Sequence, residues 1–301
     1  MKRAVTLGSR PSRLARWQTG YVLDLLQRAW PELEFQVLTL VTEGDRSLER
    51  PLPEIGGKGV FTLELESALR SGQIDCAVHS LKDLPIDPAP GLCIGAVSPR
   101  ADAHDVLVSA DGKDFAGLKV HARVGTSSLR RQAQLLAARP DLVVHPVRGN
   151  IDTRLRKALQ GDTDAVVLAA AGMERLELGG QVTQVLPFEL MLPAPGQGAL
   201  AVQCRADDPF LQDLLRPVHD EASFRAVTAE RAFLKGLGGG CSAPVAAYAR
   251  EQDGALVMDA LAASPDGKRV LRVRGAGADP EELGSRLARE ALAGGAAELL
   301  A

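Results

Sequence analysis

Along the first half of the chain, short apolar runs alternate with stretches whose apolar residues recur at helical spacing. Residues 3–7 read as a strand. Ser12–Trp30 reads as a helix with Leu14, Val22, Leu25 and Leu26 on one face, and Pro31 stops it. Phe35–Val41 predicts a second strand, Phe61–Ser71 a helix built on Leu63, Leu65 and Leu69, and Asp75–His79 a buried strand. Glu43–Gly59 is rich in charge, Pro and Gly. It is too long and polar for a tight turn, so it reads as a mobile lid that includes Lys58 and ends near Phe61.

The pattern then restarts. Lys119–Val124 reads as a strand, Leu129–Arg139 as a helix, Leu142–Pro146 as a strand, Asp152–Gln160 as a helix and Ala165–Ala170 as another apolar strand. Strand–helix alternation of this kind predicts α/β sheets with short connections. Two such units follow one another, with a boundary near Ser98–His104. The strand-like run Ala199–Cys204 is expected to return to the first unit, as in two-lobed, hinged proteins. From Glu221 a long helix, three alternating strands (Val245–Glu251, Ala255–Ala263, Arg269–Gly275) and a last helix (Glu281–Leu292) predict a small α+β domain. The expected division is 1–98 with 199–216, then 104–192, then 221–301.

Composition narrows the function. The 301 residues suffice for two or three domains. Hydrophobic residues make up 46% and aromatics only 4%, so the cores are Ala, Leu and Val. A net charge of −3 argues against general nucleic-acid binding, which leaves a basic footprint. No apolar run approaches a membrane span, and the N-terminus reads as a first strand, not a signal peptide. Cysteines 76, 93, 204 and 241 show no C-x-x-C spacing and no histidine at zinc-ligand spacing. The expectation is a cytoplasmic protein with reduced thiols and no metal.

Candidate chemistry sits where predicted strands end. Val78-His-Ser-Leu-Lys-Asp-Leu-Pro85 follows a buried strand, and ligands of open α/β sheets bind at carboxyl ends of strands. Asp83 there is either a charge-stabilising acid or part of a solvated turn; Lys82 is a carboxylate partner, and His79 a core or hinge histidine. Gly125-Thr-Ser-Ser-Leu-Arg-Arg131 is a glycine turn entering a helix, whose free N–H groups and dipole attract anions. Ser127 or Ser128 caps it, and Thr126 adds a hydroxyl. Arg130 and Arg131 in the first turn oppose the dipole, which suggests a ligand that needs them. Arg148, Arg154, Arg175 and, near the N-terminus, Arg10 with Ser12 repeat the pattern. So many guanidiniums imply a polyanionic ligand, phosphate or polycarboxylate. No Walker or dinucleotide fingerprint is present.

The run Gly236-Leu-Gly-Gly-Gly-Cys-Ser-Ala-Pro244 places Cys241 on bare backbone. It is either a glycine-rich turn that contains a cysteine or an accessible nucleophilic thiol. The other three cysteines read as small core hydrophobes.

VHSLKDLP, VGTSSLRRQ, VRGNIDTRL, PAPGQGAL, TAERAFL and GGGCSAPVAAYA occur here in the order found in the porphobilinogen deaminase family, and the chain resembles that family over about residues 3–300. The resemblance implies two periplasmic-binding-protein-like α/β lobes and a third domain. It implies a dipyrromethane cofactor, two linked pyrroles, held by a thioether to the cysteine matching Cys241. The essential carboxylate matches Asp83. Arginines holding acetate and propionate groups match Arg10, Arg130, Arg131, Arg148, Arg154 and Arg175. Further cofactor contacts fall on Ser80, Lys82, Thr126, Ser128, Leu168, Ala169, Gly172 and Gln197. Leu81 stands where the motif often has Met, and Pro11 directly follows Arg10.

The implied activity deaminates four porphobilinogens, couples them head to tail and releases hydroxymethylbilane with water. The growing chain stays tethered, movement is expected near 98–104, 193–200 and the lid, and the implied state is a monomer. Two other classes remain open from the residues alone. A hinged anion sensor would show the bare polypeptide mass, and a phosphate-using transferase would show phosphate-dependent activity.

Overall fold

The computed structural model describes residues 4–46, 62–239 and 243–300. Cys241, Lys58, Phe61 and the expected lid beyond Arg46 lie outside the described residues. The chain divides into two compact units, Met1–Arg100 with Ala199–Phe224, and Ala101–Gly198 with Arg225–Ala301.

In the first unit, β1 (Val5–Ser9) is buried throughout and leads into α1 (Arg13–Ala29). Ser12 caps α1, its Oγ accepting from the Ala15 N–H at 3.2 Å. β2 (Phe35–Thr39), α2 (Glu43–Arg46), α3 (Leu63–Arg70), β3 (Cys76–Ser80) and β4 (Leu92–Val97) follow. A 3-10 turn, Leu81–Asp83, leaves β3 directly. The sheet order is β2-β1-β3-β10-β4, where β10 (Leu200–Arg205) comes from the returning segment, as its pattern predicts. β1, β2 and β3 are parallel; β10 runs antiparallel to both its neighbours. Val22 and Leu26 of α1 meet Leu7, Val78, Leu200 and Val202 in the core, and α7 (Pro209–Leu214) covers the same cluster.

The second unit repeats this arrangement. β5 (Asp105–Ser109), β6 (Arg123–Gly125), α4 (Leu129–Ala138), β7 (Val143–His145), α5 (Ile151–Leu159), β8 (Ala165–Ala169), α6 (Ala170–Arg175) and β9 (Gln184–Leu186) form a sheet ordered β7-β6-β8-β5-β9. β6, β7 and β8 are parallel, and β5 is the antiparallel intruder. Each five-stranded sheet thus has three adjacent parallel strands followed by one reversed strand. Both sheets are mixed and carry helices between their strands, an α/β architecture.

The same unit ends in α8 (Glu221–Gly236, whose first residues belong to the first unit), β11 (Val245–Gln252), β12 (Ala255–Ala263), β13 (Val270–Gly277), α9 (Pro280–Ala293) and α10 (Ala296–Leu300). The three strands form an antiparallel meander. It packs on α4 through Ala133, Leu192, Ala246, Leu261 and Ala263. At the β12–β13 turn a Cβ on Gly267 would stand 2.5 Å from the Ala137 backbone nitrogen, so only glycine allows this approach.

Several expectations are corrected. The strand expected over Lys119–Val124 contracts to Arg123–Gly125, because residues 119–122 turn and His121 takes a positive φ of 58°. Arg175, expected to repeat the strand-end pattern, instead closes the helix α6, which begins the moment β8 ends. Glu43–Arg46, expected as lid, is one helical turn. Cys76 and Cys204 are buried and Cys93 is half-buried, as small packing residues should be. They sit side by side across β3, β10 and β4, with 3.7 Å between the Cys93 and Cys204 sulfurs. Burial pushes the Cys204 thiol up to about 12.

Candidate functional site

In the first unit the parallel strands deliver their chemistry at one end. Arg10, Gln18, Thr62, His79, Ser80 and Asp83 line a pocket with Ala15 and Val78. Asp83 ends the 3-10 turn and is exposed, while Lys82 beside it is half-buried. Gln18, on the buried face of α1, donates through Nε2 to Ser80 Oγ at 2.8 Å. Arg10 meets Asp45 edge-on, with Nε–Oδ2 at 3.2 Å and Nη2–Oδ1 at 2.5 Å. Asp45 also takes the Thr42 N–H and hydroxyl. Burial alone would raise the Asp45 carboxyl; Arg10 and Thr42 together bring it below its ordinary value.

His79 is 6% exposed and its Nε2 is buried without a hydrogen-bond partner. Burial, with the Arg10 charge adding to it, lowers its pKa from 6.5 to about 4, so it is neutral at physiological pH. A core position was expected for it, but it also lines the pocket.

In the second unit three adjacent parallel strands end in three helix starts. At the end of β6, a Cβ on Gly125 would lie 2.6 Å from Val147 Cγ2, so glycine lets this strand end pass close to the loop that follows β7. The Thr126 N–H donates to the His145 carbonyl and Ser127 Oγ to the Val147 carbonyl, tying the first two loops together. Ser128 is the N-cap of α4. After β7, Gly149 takes a φ of 107°, Asn150 caps α5, and Arg154 Nε donates to the Gly149 carbonyl at 2.8 Å. Arg148 is half-buried, and its Nη1 is buried with no hydrogen-bond partner. After β8, Leu168 buries its side chain in the core, Ala169 is half-buried, and Gly172 and Arg175 are buried on α6. Arg175 Nη2 donates to the Gly198 carbonyl at 2.7 Å.

Arg130 and Arg131 are 4% and 5% exposed and converge on Asp105, which is fully buried. Arg130 Nη1 stands 2.7 Å from Asp105 Oδ2 and 2.6 Å from the Leu192 carbonyl. Arg131 reaches Oδ1 through Nη2 at 2.6 Å and Nε at 3.1 Å, and donates through Nη1 to the Val167 carbonyl. Gln197 Nε2 adds a donor to Oδ1 at 3.0 Å. Burial would raise the Asp105 carboxyl, but the two guanidiniums hold it well below the usual carboxylate range. A buried counter-charge therefore offsets the unfavourable placement of two arginines at a helix start. Sequence reasoning missed Asp105, because nothing local marks it; β5 carries it to α4 only through the sheet order.

Residues 5–213 match the family model for the dipyrromethane cofactor binding domain of porphobilinogen deaminase, and residues 224–293 match that for its C-terminal domain. The chain belongs to the porphobilinogen deaminase family. It is 49% identical to the porphobilinogen deaminase of Moorella thermoacetica over 98% of this chain and 95% of that one. The porphobilinogen deaminase of Carboxydothermus hydrogenoformans is 47% identical over 100% of this chain and 97% of that protein. Among solved structures, the chain is similar to the BvgS periplasmic VFT2 domain of Bordetella pertussis, with a TM-score of 0.44 and 18% identity over 71% of this chain and 86% of that one. Among the described residues no helix is long and apolar enough to cross a membrane.

The chain is thus an enzyme of this family with a dipyrromethane-binding domain. The described residues fit such a group. Its side chains are acetates and propionates, and the second unit offers the buried, unpartnered Arg148 Nη1 and Arg130 Nε beside hydroxyl-bearing helix starts. A buried donor left without an acceptor is costly, and a ligand carboxylate removes that cost.

Proposed function

We propose that this chain joins four porphobilinogens head to tail on a dipyrromethane held by a thioether to Cys241, and then releases hydroxymethylbilane by adding water. The observation that carries this reading is the placement of Arg10, Ser80 and Asp83 around one pocket at the carboxyl ends of parallel strands, in a chain matching both domains of the family.

When bound, the dipyrromethane supplies the free pyrrole carbon to which the first substrate is joined. The protein supplies position and charge. In each condensation the carbon–nitrogen bond of an aminomethyl group breaks, ammonia leaves, a carbon–carbon bond forms and the attacked pyrrole carbon loses a proton. Positive charge develops on the substrate pyrrole as ammonia departs. Asp83 accepts from the pyrrole N–H and stabilises that charge. A carboxylate fixed before the reaction contributes several kcal/mol to such a step. The Gln18–Ser80 hydrogen bond fixes the backbone that leads into its turn. Neutral His79 adds no competing cation to the pocket floor.

Substrate acetates and propionates go to Arg10, Ser12, Arg148, Arg154 and Arg175. Ser80, Lys82, Thr126, Ser128, Arg130, Arg131, Arg148 and Gln197 hold the cofactor, with Ala169, Gly172 and the Leu168 backbone beside it. The reading includes the division into 1–98 with 199–216, 104–192 and 221–301. It also includes a cytoplasmic monomer without a nucleic-acid or membrane partner; the net charge of −3 supports the absence of a nucleic-acid role.

The test is stoichiometry. Purified protein given porphobilinogen should release one ammonia per substrate consumed and one linear tetrapyrrole per four. Consumption without ammonia, or products of mixed length, contradicts the reading.

A further inference from the structure

Two guanidiniums placed side by side repel one another, and a buried pair needs a counter-charge to sit still. Asp105 provides it from β5, the reversed strand of the second sheet, with every oxygen committed: Oδ2 to Arg130, Oδ1 to Arg131 and Gln197. Each arginine is also pinned by a backbone carbonyl, Leu192 for Arg130 and Val167 for Arg131. The cluster of two arginines and one aspartate keeps one net positive charge. Its Gln197 arm is anchored in turn. The neighbouring Gly196 N–H donates to Glu230 Oε2 at 2.7 Å, and Glu230 Oε1 accepts from the Ala249 N–H at 2.8 Å. Glu230 is fully buried on α8.

We propose that Asp105 is the positioning residue of the anion site: it locks Arg130 and Arg131 side by side and cancels one of their two charges, leaving one for a carboxylate of the dipyrromethane. Asp105 touches neither cofactor nor substrate; it acts through the two arginines. The inference rests on the proposed role of Arg130 and Arg131 toward the cofactor. A fixed bidentate donor recognises a carboxylate, whereas two mobile, mutually repelling guanidiniums do so poorly. Loss of the Asp105 charge therefore weakens capture of the cofactor before it affects any condensation.

The experiment compares Asp105→Asn with Asp75→Asn, each purified as the full chain from cells that make porphobilinogen. Asp75 is a matched control in the first unit. It is 4% exposed, pairs with Arg205 at 3.0 Å and lies outside the site. Intact mass gives the fraction carrying dipyrromethane, thermal unfolding gives the stability loss, and initial rates give KM and kcat. Both variants should lose comparable stability. Asp105→Asn should carry the cofactor on fewer than about a tenth of chains, while Asp75→Asn is loaded like wild type. In the loaded remainder KM for porphobilinogen should stay within about twofold of wild type, because Arg130 and Arg131 serve the cofactor and not the incoming substrate. Full loading of Asp105→Asn overturns the inference, as does loading that tracks stability loss in both variants. If Asp105→Asn yields no folded protein, Asp105→Glu is read by the same measures: partial loading at near-wild-type KM supports the inference, and full loading overturns it. A wild-type protein without any adduct would instead refute the cofactor reading on which it rests.

Discussion

Gln18 Nε2 lies 2.8 Å from Ser80 Oγ, so α1 holds the last residue of β3 just before the turn that carries Asp83. The position of the acid is thus set in part by a helix that lines the same pocket. Asp83→Ala should lower kcat by well over about tenfold, and Asp83→Glu should leave a trace, because one added methylene misplaces the carboxylate. Gln18→Ala should lower kcat by a smaller factor with KM nearly unchanged. Retention of more than about a tenth of the wild-type kcat by Asp83→Ala, a barrier change under ~1.4 kcal/mol, would remove Asp83 from its role.

Arg148 and Arg131 should separate stability from ligand capture. Arg148 Nη1 has no hydrogen-bond partner, so Arg148→Leu removes an unsatisfied donor and should leave the unfolding midpoint unchanged or higher. It should still weaken cofactor loading. Arg131→Leu leaves Asp105 with Arg130 and Gln197 alone, and should cost about 3–5 kcal/mol of stability besides emptying the site. Thermal unfolding with intact mass on both variants checks the contrast. Equal destabilisation by the two would contradict it.

Arg10 sits in the first unit with Asp45 as its partner. Arg10→Leu should keep the covalent adduct and slow the condensations, with KM for porphobilinogen raised by about tenfold. A variant isolated without adduct would show that Arg10 serves assembly of the cofactor, contrary to this assignment.

His79 gives the fold a pH dependence distinct from that of the carboxylates. Folded His79 takes its proton only near pH 4, whereas in the unfolded chain it does so near 6.5. Between those values the unfolded state binds more protons, so stability falls as the pH is lowered from 6.5 toward 4. The loss is bounded at roughly 3 kcal/mol. Asp105, with its lowered pKa, gives up its contribution only at still lower pH, below the ordinary carboxylate value. Urea unfolding of wild type and His79→Gln across this range should show the slope reduced in the variant. Parallel profiles would mean that His79 does not carry it.

Much of the fold is legible in the order of residues alone. Leu14, Val22, Leu25 and Leu26 mark α1 because helical spacing is local, and Pro31 ends it. The returning run Ala199–Cys204 betrays itself as a strand, since apolar residues broken only by Gln203 suit a position between two neighbours. Strands β4 and β5 are harder to see, because Pro and charged residues flank them on both sides of the unit boundary. Motif positions also name Arg130 and Arg131 but not what holds them. Asp105 is 25 residues from Arg130 and meets it only because β5 pairs with β8 in reverse. The Gln18–Ser80 bond, spanning 62 residues, is hidden for the same reason. Local chemistry is written in the sequence, whereas the partners that orient it are set by topology.

The central claim is covalent, so mass tests it most directly. Intact-mass measurement of wild type and Cys241→Ser, both purified from cells that make porphobilinogen, should show a dipyrromethane adduct on the wild type. The variant should show the bare polypeptide, because a hydroxyl is a far weaker nucleophile than a thiolate. A bare wild-type chain, or a normal adduct on Cys241→Ser, would contradict the account.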